Sequence, residues 1–321
     1  MTRKKNKPFD ISSEKYWRDR EENAKAKYLQ EEIPYKQYVK DLYGKMLDGV
    51  DNEINAFYAK YAKKEGITLA EAKKRVSSLD IKAYERKARL YVKGKNFSKR
   101  ANDEMRIYNL TMKVNRLELL KANIGLELTS GSDELNNYLD KVLRKRTIDE
   151  IKRQSGILGK TISANAEKIR SIVNGSFYST VFSDRVWGHQ ALLKSELEKH
   201  LVQGLIAGKN PREMARKLRD TFGKSMHEAQ RLMVTELARV QTDAQKLSYE
   251  ETDTERYEFI GGQAGICPIC EALDGKNFSV KDMVIGKNAP PMHPHCRCST
   301  ASFWSDDEEK WLQLALNTQK G

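Results

Sequence analysis

Cys267-Pro268-Ile269-Cys270, then His293-Pro294-His295-Cys296-Arg297-Cys298 after 22 intervening residues, is the stretch around which the chain is organised. All four cysteines of the protein lie in it, with two of its five histidines. Two residues between a pair of thiolates let both reach one tetrahedral ion, and a second ligand pair must then return from elsewhere in the chain. Between the two groups, Leu273-Asp274-Gly275-Lys276-Asn277-Phe278 reads as a hairpin, because Asp-Gly suits a tight turn with positive φ and its apolar flanks suit paired strands. That hairpin would fold the second ligand group back onto the first. Six side chains compete for four places. Cys267 and Cys270 take two, and His293 and Cys296 take the others, with Cys298 as the substitute and His295 ranked last. Four protein ligands close a zinc site and make it structural, since catalytic zinc keeps one position for water.

Two other uses of these residues are disfavoured. A disulfide needs an oxidising compartment, and Met1-Thr-Arg-Lys-Lys-Asn-Lys7 has no apolar segment behind its charges to serve as a secretory signal. A zinc deaminase needs a glutamate two residues after a ligand histidine, and no histidine of this chain has one.

The chain's 321 residues are enough for two domains, 39% are hydrophobic and 32% charged, and only seven are proline. Long runs of Ala, Lys, Glu, Leu and Arg indicate helix. The expected fold is mainly α with a small α+β C-terminal domain: long N-terminal helices, then a C-terminal zinc-stapled hairpin module. No apolar run approaches the roughly 20 residues of a membrane span, so a soluble protein made in the cytoplasm, without membrane contact, is expected. The net charge of +13 is unevenly placed. Residues 186–321 hold 18 Lys and Arg against 19 Asp and Glu, leaving 40 against 26 in residues 1–185. A basic half attracts phosphate backbones non-specifically, which makes double-stranded DNA a candidate partner and places Arg3, Lys4, Lys5 and Lys7 of the N-terminal arm among the candidate contacts. The alternative is a set of ordinary solvated helices.

Along the chain, residues 1–13 read as a basic flexible arm and 14–175 as a basic helical region. From Tyr35 to Tyr61, apolar residues recur at three- and four-residue steps, the stripe of a long amphipathic helix. A capping box at 68–71 predicts a short helix, 79–92 continues in the same style, and Ser98 caps a helix running through Leu120. Thr129-Ser130-Gly131-Ser132-Asp133 reads as a loop, and a further helix ends at Gly156 and Gly159. The charge balances beyond about 160–188, which suggests a boundary there. Residues 190–207 read as helix, Pro211 starts another, and a longer one follows a break at Gly223-Lys224-Ser225. On it, Glu236 and Arg239 are three apart and suit an ion pair. Residues 257–260 alternate like a strand. Past Trp304, residues 305–321 form an acidic tail and short helix.

Taken together, these residues resemble the minor head proteins of tailed phages, the phage Mu F-like head morphogenesis family. The resemblance runs in order over roughly 185–304. It covers Gly204-Leu-Ile-Ala-Gly208 with Pro211-Arg-Glu-Met-Ala215, the helix around Val234-Thr235-Glu236, Cys267-Pro-Ile-Cys270 with Leu273-Asp-Gly-Lys276, and Pro290-Pro-Met-His293-Pro-His-Cys296-Arg-Cys298. Tyr16-Trp17-Arg18 also looks like family members from phages of Gram-positive bacteria. The resemblance implies a head-morphogenesis domain over 176–304 and a virion component at the head interior or portal vertex. It implies the portal protein and capsid or scaffolding proteins as partners, and a role in head assembly or in DNA packaging and delivery. One departure stands out: the family often has Asn where this chain has His295. A metal-dependent nuclease, with His293 or His295 activating water, is the enzymatic alternative, but no carboxylate or further histidine accompanies the pair in sequence. A zinc-finger DNA reader fails because no recognition helix follows the second ligand pair.

Overall fold

The structure, a computed structural model, describes residues 14–61, 78–95, 98–103, 115–207, 211–261 and 266–303. The basic arm with Arg3, Lys4, Lys5 and Lys7, the capping box at 68–71 and the acidic tail lie outside the described residues.

Helix α1 spans Glu14–Tyr61, and the stripe read from the sequence is its buried face: Val39, Leu42, Tyr43, Met46, Val50, Ile54, Phe57 and Tyr58 are all shielded from solvent. Pro34 lies inside this helix on its exposed side, where the loss of one backbone N–H leaves no buried carbonyl behind. Helix α2 spans Ser78–Lys95. Ser98 does cap a helix, its Oγ accepting from the Ala101 N–H at 3.2 Å, and residues 99–103 are helical. Leu117 and Leu120 belong to a fresh helix, α3 (Arg116–Leu158), which Asn115 caps by accepting the Glu118 N–H at 3.0 Å. Helices α4 (Ala166–Val173), α5 (Phe182–Ile206) and α6 (Pro211–Glu251) follow. Strand β1 (Arg256–Ile260), a single turn α7 (Pro268–Glu271), β2 (Asn277–Ser279), a 3-10 turn (Val280–Asp282) and β3 (Ser299–Phe303) complete the described chain. No described helix is long and apolar enough to cross a membrane.

Three expectations are corrected. Residues 129–133 are not a loop but lie within α3 and are buried, with Met46 against Gly131 so closely that a Cβ there would sit 2.3 Å from its sulfur. Small residues that favour turns in isolation are used here to let two helices approach. Residues 223–225 likewise do not break α6, because Met214, Leu218, Phe222, Ala229 and Leu232 keep one buried stripe in phase across Gly223. A helical glycine costs about 1 kcal/mol relative to alanine, less than the burial of those side chains returns. The Asp274-Gly275 turn forms, with Gly275 at φ +74°, but Leu273 is not on a strand. Strand β2 pairs instead with β1, and the turn hangs from it through Gly275 N–H to the Phe259 carbonyl at 2.9 Å.

The chain divides into two compact units, each made of discontinuous segments. The first comprises Met1–Pro34, Val142–Ser179 and Met233–Gly321. It contains the sheet, ordered β2-β1-β3 with both pairings antiparallel. Tyr257 and Phe259 project from one side of β1 and are fully buried. Tyr257 packs with Tyr249, Val280, Met283 and Ala289, while Phe259 packs with Cys270, Met292 and Cys296. In the same unit a buried polar network joins α1, α3 and β3: Arg153 binds Glu21 and Glu150, Tyr28 donates to Glu150, and Ser299 donates to Glu21.

The second unit comprises Tyr35–Lys141 and Thr180–Leu232. Tyr38 stacks on Tyr138 at 3.7 Å and donates to Glu134, and Trp187 packs with Ala101 and Leu126. Lys87 lies between Glu53 and Glu127.

Candidate metal centre

The cluster is built from three short pieces of the first unit. Cys267 precedes α7, whose single turn starts at Pro268, a residue preorganised for a first helical position. That turn brings Cys270 back beside Cys267. The second group, after the cis peptide Pro290–Pro291, is closed by a turn in which Cys296 N–H bonds the His293 carbonyl at 3.1 Å. Strand β3 begins at Ser299, so pairing of Ser299 with Ile260 fixes Cys298 and Cys296 against the end of β1.

Two triads of candidate ligands result, Cys267–Cys270–His293 and Cys270–Cys296–Cys298, sharing Cys270. His293 Nε2 lies 3.2 Å from Cys267 Sγ and 3.5 Å from Cys270 Sγ, and Cys270 Sγ lies 3.8 Å from Cys296 Sγ. Around an ion with metal–sulfur bonds of about 2.3 Å and metal–nitrogen bonds of about 2.0 Å, tetrahedral edges are roughly 3.8 Å between sulfurs and 3.5 Å between sulfur and nitrogen. The Cys267–Cys270–His293 triad and the Cys270–Cys296 pair thus have spacings suited to a metal ion, the two groups meeting at Cys270. The His293 ring is turned for the task, because Nδ1 lies 2.8 Å from the Pro294 carbonyl, which assigns the ring proton to Nδ1 and leaves the Nε2 lone pair facing the thiols.

The thiols are electrostatically unequal. A hydrogen bond from Cys298 brings the Cys296 thiol down to about 5, and the backbone N–H of Cys270 also lowers Cys267. Burial pushes Cys270 up to about 12, and the bond to Cys296 raises Cys298. Cys296 thus has thiolate character before any cation arrives, and a bound cation displaces protons from the other thiols.

His295 stands apart. It is exposed, falls in neither triad, and has φ +62° with its backbone N–H donated to Thr235 Oγ1 at 3.3 Å. Asn, Asp and His are the residues most tolerant of that left-handed conformation.

The surroundings of the cluster include long-range contacts that sequence reasoning did not foresee. Arg18 binds Asp274 and Glu258, each at 3.0 Å, and Asp274 in turn accepts the Gly261 N–H at 2.8 Å, so α1 holds the turn between the two ligand groups. Arg297, between the last two cysteines, pairs with the buried Glu32. Glu236 and Arg239 do pair, at 2.6 Å and fully buried, and Arg239 also donates to the Ile172 and Val173 carbonyls at the end of α4.

Compared with known families, residues 195–301 match the one described as Phage Mu protein F like protein. No curated protein and no solved structure matches the chain. The Mu F-like match runs from within α5 to β3 and contains all five candidate ligands. Arg18, Glu21, Glu32, Glu150 and Arg153, which complete the same compact unit, lie outside it.

Proposed function

We propose that the protein is a non-enzymatic minor head protein of a tailed phage. It would work at the portal vertex or head interior in assembly, DNA packaging or delivery. Cys267, Cys270, His293 and Cys296 hold a structural zinc, with Cys298 hydrogen-bonded beside them as the alternative thiol. The zinc-stapled module docks onto the portal or neighbouring capsid and scaffolding proteins, and the basic half contacts double-stranded DNA without sequence preference. The observation that carries this reading is the thiol–imidazole cluster, two triads joined at Cys270 with spacings suited to a metal ion, inside the Mu F-like match. A structural rather than hydrolytic site is supported by its donor set, since neither triad among the described residues includes a carboxylate.

Metal analysis and thermal unfolding before and after chelation test the proposal on the full chain, Cys267→Ser and His295→Asn. One zinc per chain is expected, lost in Cys267→Ser with a large fall in Tm and kept in His295→Asn. Structural zinc contributes about 10–16 kcal/mol of apparent binding energy in small zinc domains, so chelation should unfold the module cooperatively. A weakly held metal whose removal leaves Tm unchanged, with nuclease activity abolished in His295→Asn, would replace this reading with the enzymatic one. Sedimentation of the protein with purified heads, and not with tails, checks its place in the virion.

A further inference from the structure

A row of cations along the outer side of α2 is a charged surface that the packing of the described residues does not use. Facing inward, Tyr84 packs with Leu119 and Ala122, Ala88 and Tyr91 pack on the Ala101, Leu126 and Trp187 cluster, and Lys87 is held by Glu53 and Glu127. Asp80 is buried against Lys60. Facing outward, Lys82, Arg86, Arg89 and Lys93 are all exposed. Their offsets of four, three and four residues place them within an arc of about 60° and along roughly 16 Å of helix. Among the described residues one acid borders the row, Glu85, which reaches Arg89 at 3.9 Å. Leu79 and Leu90, 74% and 71% exposed, lie along its other margin.

Some exposed cations of the other described helices pair with nearby acids, as Lys145 does with Asp149, Arg231 with Glu228 and Arg100 with Asp184. Like charges three and four residues apart destabilise a helix by about 0.2–0.5 kcal/mol per pair. The row is therefore a standing cost to α2 that a polyanion would relieve. A 16 Å row also covers about five base-pair steps of duplex at 3.4 Å each. It belongs to the part of the chain that holds the whole charge excess, 40 Lys and Arg against 26 Asp and Glu.

We propose that the outward face of α2, through Lys82, Arg86, Arg89 and Lys93, is the surface that docks on the phosphate backbone of duplex DNA. This rests on the DNA-contact reading above and assigns it to one helix rather than to the N-terminal arm.

The test is fluorescence anisotropy of the full chain on a labelled duplex of random sequence, between about 50 and 200 mM salt. Four phosphate contacts give a slope of log K against log salt of about −3.6, so K82Q/R86Q/R89Q/K93Q should flatten the slope by about that much. The half-variants K82Q/R86Q and R89Q/K93Q should each remove about half of it, and circular dichroism should show all three folded, since each removes repulsion within α2. A control with the same charge change elsewhere, K141Q/K199Q/K217Q/R219Q, should change the slope by less than about one. If the control flattens it equally, the attraction is diffuse and the proposal fails. If R3Q/K4Q/K5Q/K7Q takes the slope while the α2 variants keep it, DNA contact stands and the assignment to α2 falls. If the wild-type chain shows no salt-dependent duplex binding, both fall. Loss of poly-L-glutamate binding in the α2 variants, with duplex binding intact, would reassign the face to an acidic protein.

Discussion

Replacing Arg153 by Leu removes the cation shared by two buried carboxylates in the unit that carries the cysteine–histidine cluster. Arg153 donates to Glu21 at 2.7 and 3.0 Å and to Glu150 at 2.9 and 2.7 Å, and those acids are 3% and 0% exposed. Without it, Glu150 keeps neutral donors from Tyr28 and Gln154, and Glu21 keeps one from Ser299. Leaving buried charge uncompensated costs about 3–5 kcal/mol, and that loss is expected at neutral pH. The sign of the pH dependence follows from the wild-type groups. For Glu150, burial acts upward but the charge and hydrogen bonds of Arg153 prevail, holding it below the usual carboxylate value; its contribution is full above 4.5 and is lost as pH falls through that lowered pKa. For Glu21, burial outweighs Arg153 and the pKa is raised, so the fold gains stability as pH falls through that raised value towards 4.5. In Arg153→Leu both acids rise, so the deficit should be greatest near pH 7 and shrink towards about pH 5 as they take up protons. Urea unfolding of wild type and variant at both pH values, with zinc content followed in each sample, measures this. Adding Glu21→Gln should recover part of the loss, because only one buried carboxylate then lacks a cation. A deficit below about 1 kcal/mol and equal at the two pH values is what a hydrated surface pair gives, and it would refute the buried network.

Three further outcomes are expected. Gly131→Val should cost about 1–3 kcal/mol through overpacking on Met46, and Met46→Ala in the same chain should relieve most of it; additive losses in thermal melts would mean the two helices do not meet there. Arg239→Met should cost about 3–5 kcal/mol, because it strands Glu236 and releases the Ile172 and Val173 carbonyls, and hydrogen exchange should show α4 opening first; unchanged protection of α4 would contradict its capping by Arg239. His295→Asn should leave Tm unchanged, whereas His295→Val should lower stability by about 1–2 kcal/mol from its left-handed backbone, and both should keep the metal; metal loss in either would make His295 a ligand.

The parts of this protein legible in the sequence are those whose causes are local. The buried face of α1 from Val39 to Tyr58 follows from its three- and four-residue spacing, the Glu236–Arg239 pair from one helical turn, and the ligand cluster from Cys-x-x-Cys and its histidine–cysteine counterpart. Misreadings arose where local preference opposed burial. Thr129–Asp133 and Gly223–Ser225 have turn-forming composition, yet turn preferences of about 1 kcal/mol per residue yield to a continuous packed stripe. What no local pattern could reveal is the company the ligand cluster keeps. Arg18 meets Asp274, Glu21 meets Arg153, and Glu32 meets Arg297 across 256, 132 and 265 residues. These contacts have a consequence for the Mu F-like match itself. A fragment cut to residues 195–301 retains every candidate ligand but strips Glu258 and Asp274 of Arg18, Arg297 of Glu32 and Ser299 of Glu21. Such a fragment should bind metal yet melt well below the full chain, because the candidate ligands are encoded within the match and much of the packing around them is not.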